Sequence, residues 1–438
     1  MEIDSNLQII IDCLEIGGIG LFMMIGAYLW RLRYEVEGYR RYAADNEKGC
    51  KRYIYIALVL GVALVVKLIL AAHYKGYETD MNCFYSWSDM IYENGFGNFY
   101  SLDAFTDYPP GYMAILWVVE FISRIFSIET ASVASRVMIK LVPILADLGA
   151  GFVIWRMAKE KFSEGSACTL AGVYVISPIV LMDSSVWGQT DSVFTLCVLL
   201  VGMFCMQKKR IPAYFAFVIG AFIKPQTLIF APILIWTIVE QVFIEDFDIK
   251  KFVRDLIGGL SAIALFFVVA LPFGVGAVMK QYIETLGQYE YGSVNAYNIW
   301  AFLGKNWASQ DDIMLGLPLR VWGSVGLLAA VILSGVIFFI LRKKNDESRY
   351  FASMAVVIGT MFLFSVRMHE RYMFPIVVLV LAAFVIKPVR EMYAVFAGFA
   401  FLQFMNVGHV YKNVVVNGAS SAPTGGIIGM TALLTVGV

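Results

Sequence analysis

Apolar runs separated by short polar segments dominate the chain, and they predict membrane-spanning helices. A helix needs about 20 mostly apolar residues to cross the hydrocarbon core of a bilayer. The chain ends on an apolar stretch, 427–438, of about half that length. The pattern therefore predicts an all-α polytopic membrane protein with about 12 to 13 transmembrane helices. The runs that reach or approach the required length are 9–30, 53–72, 132–155, 167–183, 191–206, 211–235, 255–273, 320–341, 351–366, 373–387 and 391–409.

One of these runs, 211–235, is interrupted by Lys224, Pro225 and Gln226. Proline lacks a backbone donor, and a charged side chain is costly in hydrocarbon, so such a break is tolerated where it lines a protein cavity. We expect two short helices with polar groups at their junction. A single kinked helix is the alternative.

Basic residues are grouped in a few segments, and the positive-inside rule places these segments on the cytoplasmic side. They share one side only if 111–128, an apolar stretch that carries Glu120 and Arg124, does not cross the membrane. We therefore expect a juxtamembrane helix along the interface there. The remaining loops, including a first large loop at 73–110, then lie on the extracytoplasmic side. The basic segments are 31–52, 156–161, 208–210, 250–254, 342–349 and 387–390.

Composition agrees with a membrane protein and removes several other classes. Of the 438 residues, 59% are hydrophobic and 16% are charged. Lys+Arg and Asp+Glu are both 34, so net charge indicates no nucleic-acid partner. The six cysteines include no C-x-x-C pair, which argues against a disulfide framework and a zinc site.

Polar motifs interrupt apolar sequence at the membrane borders, where each polar group must be satisfied or functional. These motifs are Asp80 to Trp87, Asp107-Tyr108-Pro109-Pro110-Gly111, Ala146-Asp147-Leu148, Trp187 to Ser192, Lys224-Pro225-Gln226, Asn298 to Trp300, and His369 to Pro375. Their ordered succession between about 77 and 375 resembles the GT-C clan of membrane glycosyltransferases. The nearest likeness is to bacterial relatives of the second mannosyltransferase of glycosylphosphatidylinositol assembly, and the glucosyltransferases that finish the lipid-linked oligosaccharide are also similar.

The resemblance implies a GT-C transmembrane core at 53–410, preceded at 1–52 by an additional span with a cytoplasmic basic loop. Residues 411–438 would form an outer loop and a partial span. The implied protein is a plasma-membrane enzyme with an extracytoplasmic active site. It would transfer a hexose, by default mannose, from a polyprenyl-phosphate sugar to a hydroxyl of a glycan, lipid or protein, with inversion. The chain also offers no room for a nucleotide-binding domain and no Gly-rich phosphate loop, which favours a lipid-borne donor.

The resemblance places the catalytic base at Asp80, early in the first large outer loop. One base suffices, because a phosphate leaving group needs no protonation. Asp107 is the second candidate for the base. Its position before Tyr108 and Pro109 equally suits an aspartate that initiates a turn.

Lys224, His369 and Arg371 are the candidates to bind the donor phosphate, since Arg offers a bidentate fork and Lys a point charge. Glu370 is either the partner that orients Arg371 or half of a structural ion pair. Asp191 and Gln189 lie at a helix start, where an N-terminal cap is an equal alternative. The candidate substrate-binding residues are Trp87, Tyr108, Gln189, Asp191, Gln226, Asn298 and Glu370.

No cofactor is expected, because Lys and Arg can neutralise the phosphate, although Asp80 with Asp191 could hold a divalent ion. Two other functions stay open from the sequence. A transporter or flippase would place its coupling groups near the midplane, whereas these motifs crowd one face. A surface-polysaccharide polymerase or ligase with a diphosphate-linked donor would favour several basic residues in the outer loop 274–318, which carries only Lys280 and Lys305.

Overall fold

The computed structural model describes residues 51–102, 104–245, 247–416 and 418. The predicted spans at 9–30 and 427–438 therefore lie outside the described residues. The described chain is almost entirely helical, which confirms the predicted all-α polytopic class.

Residues 51–223 of the described chain form nine helices, two of them only one turn long. A π-helical turn, Met182–Trp187, extends the seventh helix and ends at Gly188. The helices are α1 Lys51–His73, α2 Glu78–Asn94, α3 Phe96–Phe99, α4 Pro110–Ile125, α5 Val133–Ala158, α6 Glu164–Val175, α7 Pro178–Leu181, α8 Asp191–Met206 and α9 Arg210–Ile223.

The second half adds eight helices and two short strand pairs. β1 Ser293–Val294 runs parallel to β4 Met368–His369, and β2 Ile313–Met314 is antiparallel to β3 Leu317–Pro318. Short 3-10 and π turns join several helices, at Pro225–Phe230, Val239–Ile244, Leu271–Phe273 and Tyr411–Val416. The helices are α10 Ala231–Ile238, α11 Ile249–Ala270, α12 Val275–Gly287, α13 Ile299–Phe302, α14 Leu319–Lys343, α15 Arg349–Phe364, α16 Pro375–Ile386 and α17 Arg390–Val410.

Each apolar run predicted within the described residues is helical, but the helices differ in length. Six are long and apolar enough to cross a bilayer, and α6 with the bent segment Pro178–Trp187 makes a seventh if counted as one span. Four of the predicted spans, α8, α9, α15 and α16, are shorter apolar helices of 10–17 residues. At about 1.5 Å per residue, these are shorter than the roughly 30 Å hydrocarbon core. The predicted count of about 12 to 13 spans included them.

The break in the run 211–235 is where the sequence predicts it. α9 ends at Ile223, Lys224 is extended (φ −153°, ψ 128°), and Pro225 begins a 3-10 turn that leads into α10. Pro225 cannot donate to the preceding turn, so the helix stops there. The two-helix interpretation is confirmed over the single kinked helix.

The first large loop contains more helix than the sequence analysis assigned to it. α2 occupies 17 residues of the predicted loop 73–110. Its buried positions, including Met81, Phe84, Tyr85 and Ile91, recur at the spacing of a helix face, which packs against α4. α4 covers most of the predicted juxtamembrane segment 111–128 and starts one residue before it, at Pro110. Proline is favoured at the first position of a helix. Its placement along the interface stays a prediction.

The basic segments within the described residues meet at one end of the bundle. Ion pairs connect them, and Lys161 donates to the carbonyl of Ile386 beside Lys387. α8 runs from this end to Asp191 at the other, where the polar motifs gather. The side of the membrane that each end faces stays a prediction. The pairs are Lys208–Glu245, Arg210–Asp255, Arg342–Glu240, Arg349–Glu240 and Lys387–Asp346.

Candidate active site

A cavity of about 410 Å³ lies at the end of the bundle opposite the basic segments. Five separate parts of the chain line it: α2 with the segment that follows it, the turn before α8, the break after α9, the end of α12 with the two residues that follow it, and α15 with the segment before α16. Nine of the predicted site residues are in its wall. They are Asp80, Trp87, Asp107, Tyr108, Gln189, Lys224, Gln226, His369 and Arg371.

The turn between α7 and α8 is shaped by one backbone carbonyl. Asp183 O accepts from the amides of Gly188 and Gln189, at 3.0 and 2.9 Å. Gly188 has φ +94°, and a Cβ there would lie 2.7 Å from Met81 Sδ, so only glycine fits. The turn directs the side chains of Trp187 and Gln189 toward α2.

Asp80, in the first turn of α2, receives both of those side chains. Its Oδ2 accepts from Trp187 Nε1 at 2.8 Å and from Gln189 Nε2. Arg371 Nη1 lies 3.9 Å from the same oxygen. The side chain of Asp80 is 22% exposed, and Asp80 lines the cavity. One carboxylate oxygen is thus fixed, which leaves Oδ1 for a ligand.

Two cations stand beside Asp80 and share a carboxylate. Lys224 Nζ lies 2.6 Å from Asp191 Oδ1, and Arg371 Nε lies 3.7 Å from Asp191 Oδ2. Glu370 contacts Arg371 at 2.5 Å, as expected for an orienting partner or an ion pair. Asp191 and Glu370 are behind these cations rather than in the cavity wall, and the Asp191 side chain pairs with Lys224 rather than capping α8. Arg371 also stacks on Trp187, with Cζ 4.7 Å from the ring centroid.

His369 is a neutral member of this group. Its ring packs edge-on against Tyr289, with centroids 4.5 Å apart, and against Tyr372. Burial first, then the positive charges of Arg371 and Lys224, hold the pKa of His369 well below its usual range. Its Nε2 is buried without a hydrogen-bond partner. It can therefore accept from, or in one tautomer donate to, a polar ligand in the cavity.

Asp107 faces the same space from the segment before α4. Burial, then the charge of Asp80, raises its pKa to about 6. Its Oδ1 is buried without a hydrogen-bond partner, and the residue lines the cavity. Next to it, the Tyr108 hydroxyl donates to Gln189 Oε1 and accepts from Thr190, each at 3.2 Å. Tyr108 is thus a fixed part of the cavity wall, and its hydrogen bonds connect this segment to the turn before α8.

Two predicted substrate-binding residues have clear structural contacts. Trp87 is 3% exposed and donates to the carbonyl of Phe105 at 2.8 Å, so it supports the wall it belongs to. Asn298 is fully buried and is not among the cavity residues. Its Oδ1 accepts from Ala301 N at 3.1 Å and caps α13.

Some residues at or next to the cavity were not selected as site residues from the sequence. Trp187 lies outside the cavity wall but donates to Asp80, and it belongs to the motif that contains Gln189. Thr285, Gln288 and Tyr289 come from the end of α12, inside a segment assigned as an outer loop. Gln288 Oε1 is buried without a hydrogen-bond partner. No sequence pattern links these three to α2.

Metal binding has little geometric support in the described part of the chain, where no three His, Cys, Asp or Glu side chains converge as a metal site. Asp80 and Asp191, the pair that could have shared a divalent ion, lie on either side of Arg371. The guanidinium contacts both carboxylates, at 3.9 and 3.7 Å. A protein cation thus occupies the position between them.

Comparison with known families gives one match. The family model described as glycosyltransferase family 87 matches residues 105–365, more than half of the chain. The chain belongs to glycosyltransferase family 87. This is a membrane glycosyltransferase family of the GT-C type, in agreement with the resemblance seen in the motifs. No curated protein matches the sequence.

The family assignment decides between enzyme and transporter. A glycosyltransferase uses a sugar donor and an acceptor, and its apolar helices place it in the membrane. The match contains Asp107, Gln189, Asp191 and Lys224, whereas Asp80 lies outside it. For this transferase, the cavity offers an open carboxylate beside two cations. That combination can take a proton from an acceptor while holding an anionic donor.

Proposed function

We propose that the chain transfers a hexose, by default mannose, from a polyprenyl-phosphate sugar to an acceptor hydroxyl on the extracytoplasmic face of the plasma membrane, with inversion. The observation that carries the proposal is the state of Asp80. Trp187 and Gln189 hold one of its oxygens, and the carboxylate borders the cavity beside Arg371. A general base needs this arrangement, in which orientation is fixed and one lone pair is available.

The proposed reaction has one bond-forming and one bond-breaking step at the anomeric carbon. Asp80 Oδ1 takes the proton of the acceptor hydroxyl while the oxygen of that hydroxyl attacks the anomeric carbon. The bond from the carbon to the phosphate oxygen breaks, and polyprenyl phosphate leaves with both electrons. Attack from the face opposite the leaving group inverts the configuration.

The phosphate is proposed to bind on the cationic side of the cavity. Lys224 and Arg371 are both buried against carboxylates, and an incoming phosphate would share their positive charge. The guanidinium fork suits two phosphate oxygens, and neutral His369 would add one hydrogen bond. These preorganised donors would stabilise the charge that develops on the leaving phosphate.

A lipid-borne donor is supported by the apolar part of the same cavity. Leu228, Ile229, Met361 and Val366 line it alongside the polar groups. Leu228 is 43% exposed. An isoprenoid chain would bury apolar surface there, which a nucleotide would not. The acceptor, whether glycan, lipid or protein, is left open by this argument.

The test is transfer of radiolabelled sugar from synthetic polyprenyl-phosphate mannose, with polyprenyl-phosphate glucose in parallel, by purified wild type and Asp80→Asn. We expect label from the mannose donor and a loss of about 10²- to 10⁴-fold in the variant, the usual contribution of a general base. Asp89→Asn is the matched control on the same helix. Asp89 pairs with Arg124 at the surface, so its loss should leave the rate unchanged.

Each result bears on a different part of the proposal. Equal rates for Asp80→Asn and wild type would move the base to Asp107 or Asp191. Preference for the glucose donor would correct the sugar alone. No transfer from either donor, but transfer from a diphosphate-linked sugar, would replace the proposal with a polymerase or ligase.

A further inference from the structure

A fully buried lysine lies directly beneath the site. Lys140, in the middle of α5, is 0% exposed. Its Nζ donates to the carbonyl oxygens of Tyr74, Ser185 and Val186 at 2.8, 3.0 and 2.9 Å. A lysine ammonium has three N–H donors, so each one is used on backbone oxygen.

The three carbonyls belong to the two segments that form the site around Asp80. Tyr74 lies between α1 and α2, just before Asp80. Ser185 and Val186 belong to the π-helical turn that continues into Trp187. The backbone amide of Tyr77 donates to Trp187 O at 3.1 Å and joins the same segments once more. Lys140 therefore bridges the base-carrying segment and the segment that orients the base.

Two glycines allow the two segments to pack closely against each other and against Lys140. Gly76 and Gly188 have φ +91° and +94°. A Cβ at Gly76 would lie 2.6 Å from Trp187 O, and one at Gly188 would lie 3.0 Å from Lys140 Cε. The first contact is shorter than packing tolerates, and the second is tighter than most Cβ contacts. The spacing between the segments is thus fixed by the Lys140 side chain and by the backbone itself.

A second buried lysine shows what is unusual about Lys140. Lys67 is also 0% exposed, but it forms an ion pair with Asp147 at 2.8 Å. Among the described residues, no carboxylate forms an ion pair with Lys140. A buried amine without a counter-charge is costly. Its three hydrogen bonds join the two segments of the site, so it can position those segments as well as contribute to the stability of the fold.

We propose that Lys140 is a positioning residue for sugar transfer, which holds Trp187 and Gln189 at hydrogen-bond distance from Asp80. It does not contact the cavity and acts only through the alignment of that carboxylate. The inference rests on the proposed function, because it takes Asp80 as the base.

The experiment is a double-mutant cycle with Lys140→Met and Asp80→Asn, in which Met keeps the side-chain length and removes the donors. In the wild-type background, Lys140→Met should lower kcat about 100-fold with KM for the lipid donor within about twofold, since a misplacement of about 1 Å has such an effect. In the Asp80→Asn background, it should change the residual rate by less than about twofold. A purely structural residue would lower both rates alike.

Two further variants keep the result interpretable. Gly188→Ala disturbs the same turn without removing a charge and should give the same selective loss of kcat. Arg349→Met removes a buried cation at the opposite end of the bundle and should lower the thermal unfolding midpoint without lowering kcat of the folded enzyme.

The outcomes separate the two proposals. Loss of transfer in Asp80→Asn, together with a normal kcat or an equal fold loss in both backgrounds for Lys140→Met, would overturn the positioning role and leave the base in place. A wild-type rate in Asp80→Asn would overturn the base itself. If Lys140→Met does not fold, Gly188→Ala in the same two backgrounds decides the question.

Discussion

Two buried groups of charged side chains occupy opposite ends of the bundle, and they are built differently. At the basic end, both oxygens of Glu240 have partners: Oε1 lies 2.9 Å from Arg349 and 3.3 Å from Arg342, and Oε2 accepts from the Tyr350 hydroxyl at 2.7 Å. At the site end, Asp80, Asp107, Lys224 and Arg371 line a cavity.

The two groups also differ in their balance of positive and negative charges. Glu240 faces two arginines, whereas Lys224 and Arg371 are surrounded by Asp80, Asp191 and Glu370. Groups that satisfy one another stabilise or specify a fold. Charged groups that line a cavity are typical of a ligand site. Paired substitutions should therefore separate loss of rate from loss of stability.

The largest contrast is expected between Arg371→Met and Arg349→Met. Arg371→Met removes a fork that faces the cavity and should lower kcat/KM about 10²- to 10³-fold, the effect of losing one preorganised donor at a developing charge. Arg349→Met removes one of the three partners of Glu240, leaves Arg342 and Tyr350 in place, and should cost about 1.5 to 3 kcal/mol of stability. Rates with the lipid donor and thermal unfolding in detergent measure the two effects. Equal loss of rate per folded molecule in both variants would erase the distinction.

A smaller effect is expected for a single tryptophan donor. Trp187→Phe keeps the ring that Arg371 stacks on and removes the hydrogen bond to Asp80 Oδ2. We expect kcat to fall about 10-fold, since a hydrogen bond to a charged group contributes about 1.5 to 3 kcal/mol. Trp236→Phe is the control, because Trp236 Nε1 donates to Ser334 Oγ away from the cavity. The idea fails if both tryptophan variants keep the wild-type kcat.

These contrasts also show which features could be predicted from the sequence. Length and polarity of the runs predict the helices, and proline predicts the break at Lys224, because both depend on local properties of the chain. One cavity wall contains five residues from the ordered motifs: Asp80, Gln189, Lys224, His369 and Arg371. Their proximity results from tertiary packing, which a single sequence shows only through such motifs.

Other features depend on packing that no local pattern reports. The sequence of α2 is interpreted as an acidic loop because it carries Glu78, Asp80 and Asp89. The helix is stabilised by the packing of its buried apolar face, which is a tertiary contact. Lys140 lies within an apolar run, where sequence alone marks it as costly but names no partner. Its partners are backbone carbonyls, which every residue has. The bridge it forms was therefore outside the reach of sequence reasoning.

A pH test applies the comparison to stability. The pKa of Asp107 is raised from its ordinary 3.8 to about 6, by burial first and then by Asp80. Between these values, the folded state binds the proton more tightly, so this group makes stability fall as pH rises from about 4 to 6. The loss is complete above the folded pKa and amounts to about 2 to 3 kcal/mol.

The measurement is thermal unfolding of wild type and Asp107→Asn at pH 4.5 and 7.5. Asn cannot ionise, so the variant should gain stability relative to wild type at pH 7.5 and gain less at pH 4.5. Asp89→Asn, at an exposed ion pair, should show no such gain at high pH. A pH-independent difference for Asp107→Asn would mean that the carboxyl titrates as it does in water.

The smallest effect on stability and activity should come from a buried polar residue that, like the residues of the basic end, lies outside the cavity wall. Asn298 is one, because its side chain caps α13 through Ala301 N, and α13 is a single turn beside the site. Asn298→Ala should cost about 1 kcal/mol of stability, the usual value of such a cap. Asn298→Ser keeps an uncharged oxygen acceptor and should recover most of it. Neither should change KM for donor or acceptor, because the residue lies outside the cavity wall. A rise in KM with unchanged stability would instead make Asn298 a substrate-binding residue, as the motif order predicts, and would extend the site beyond the cavity.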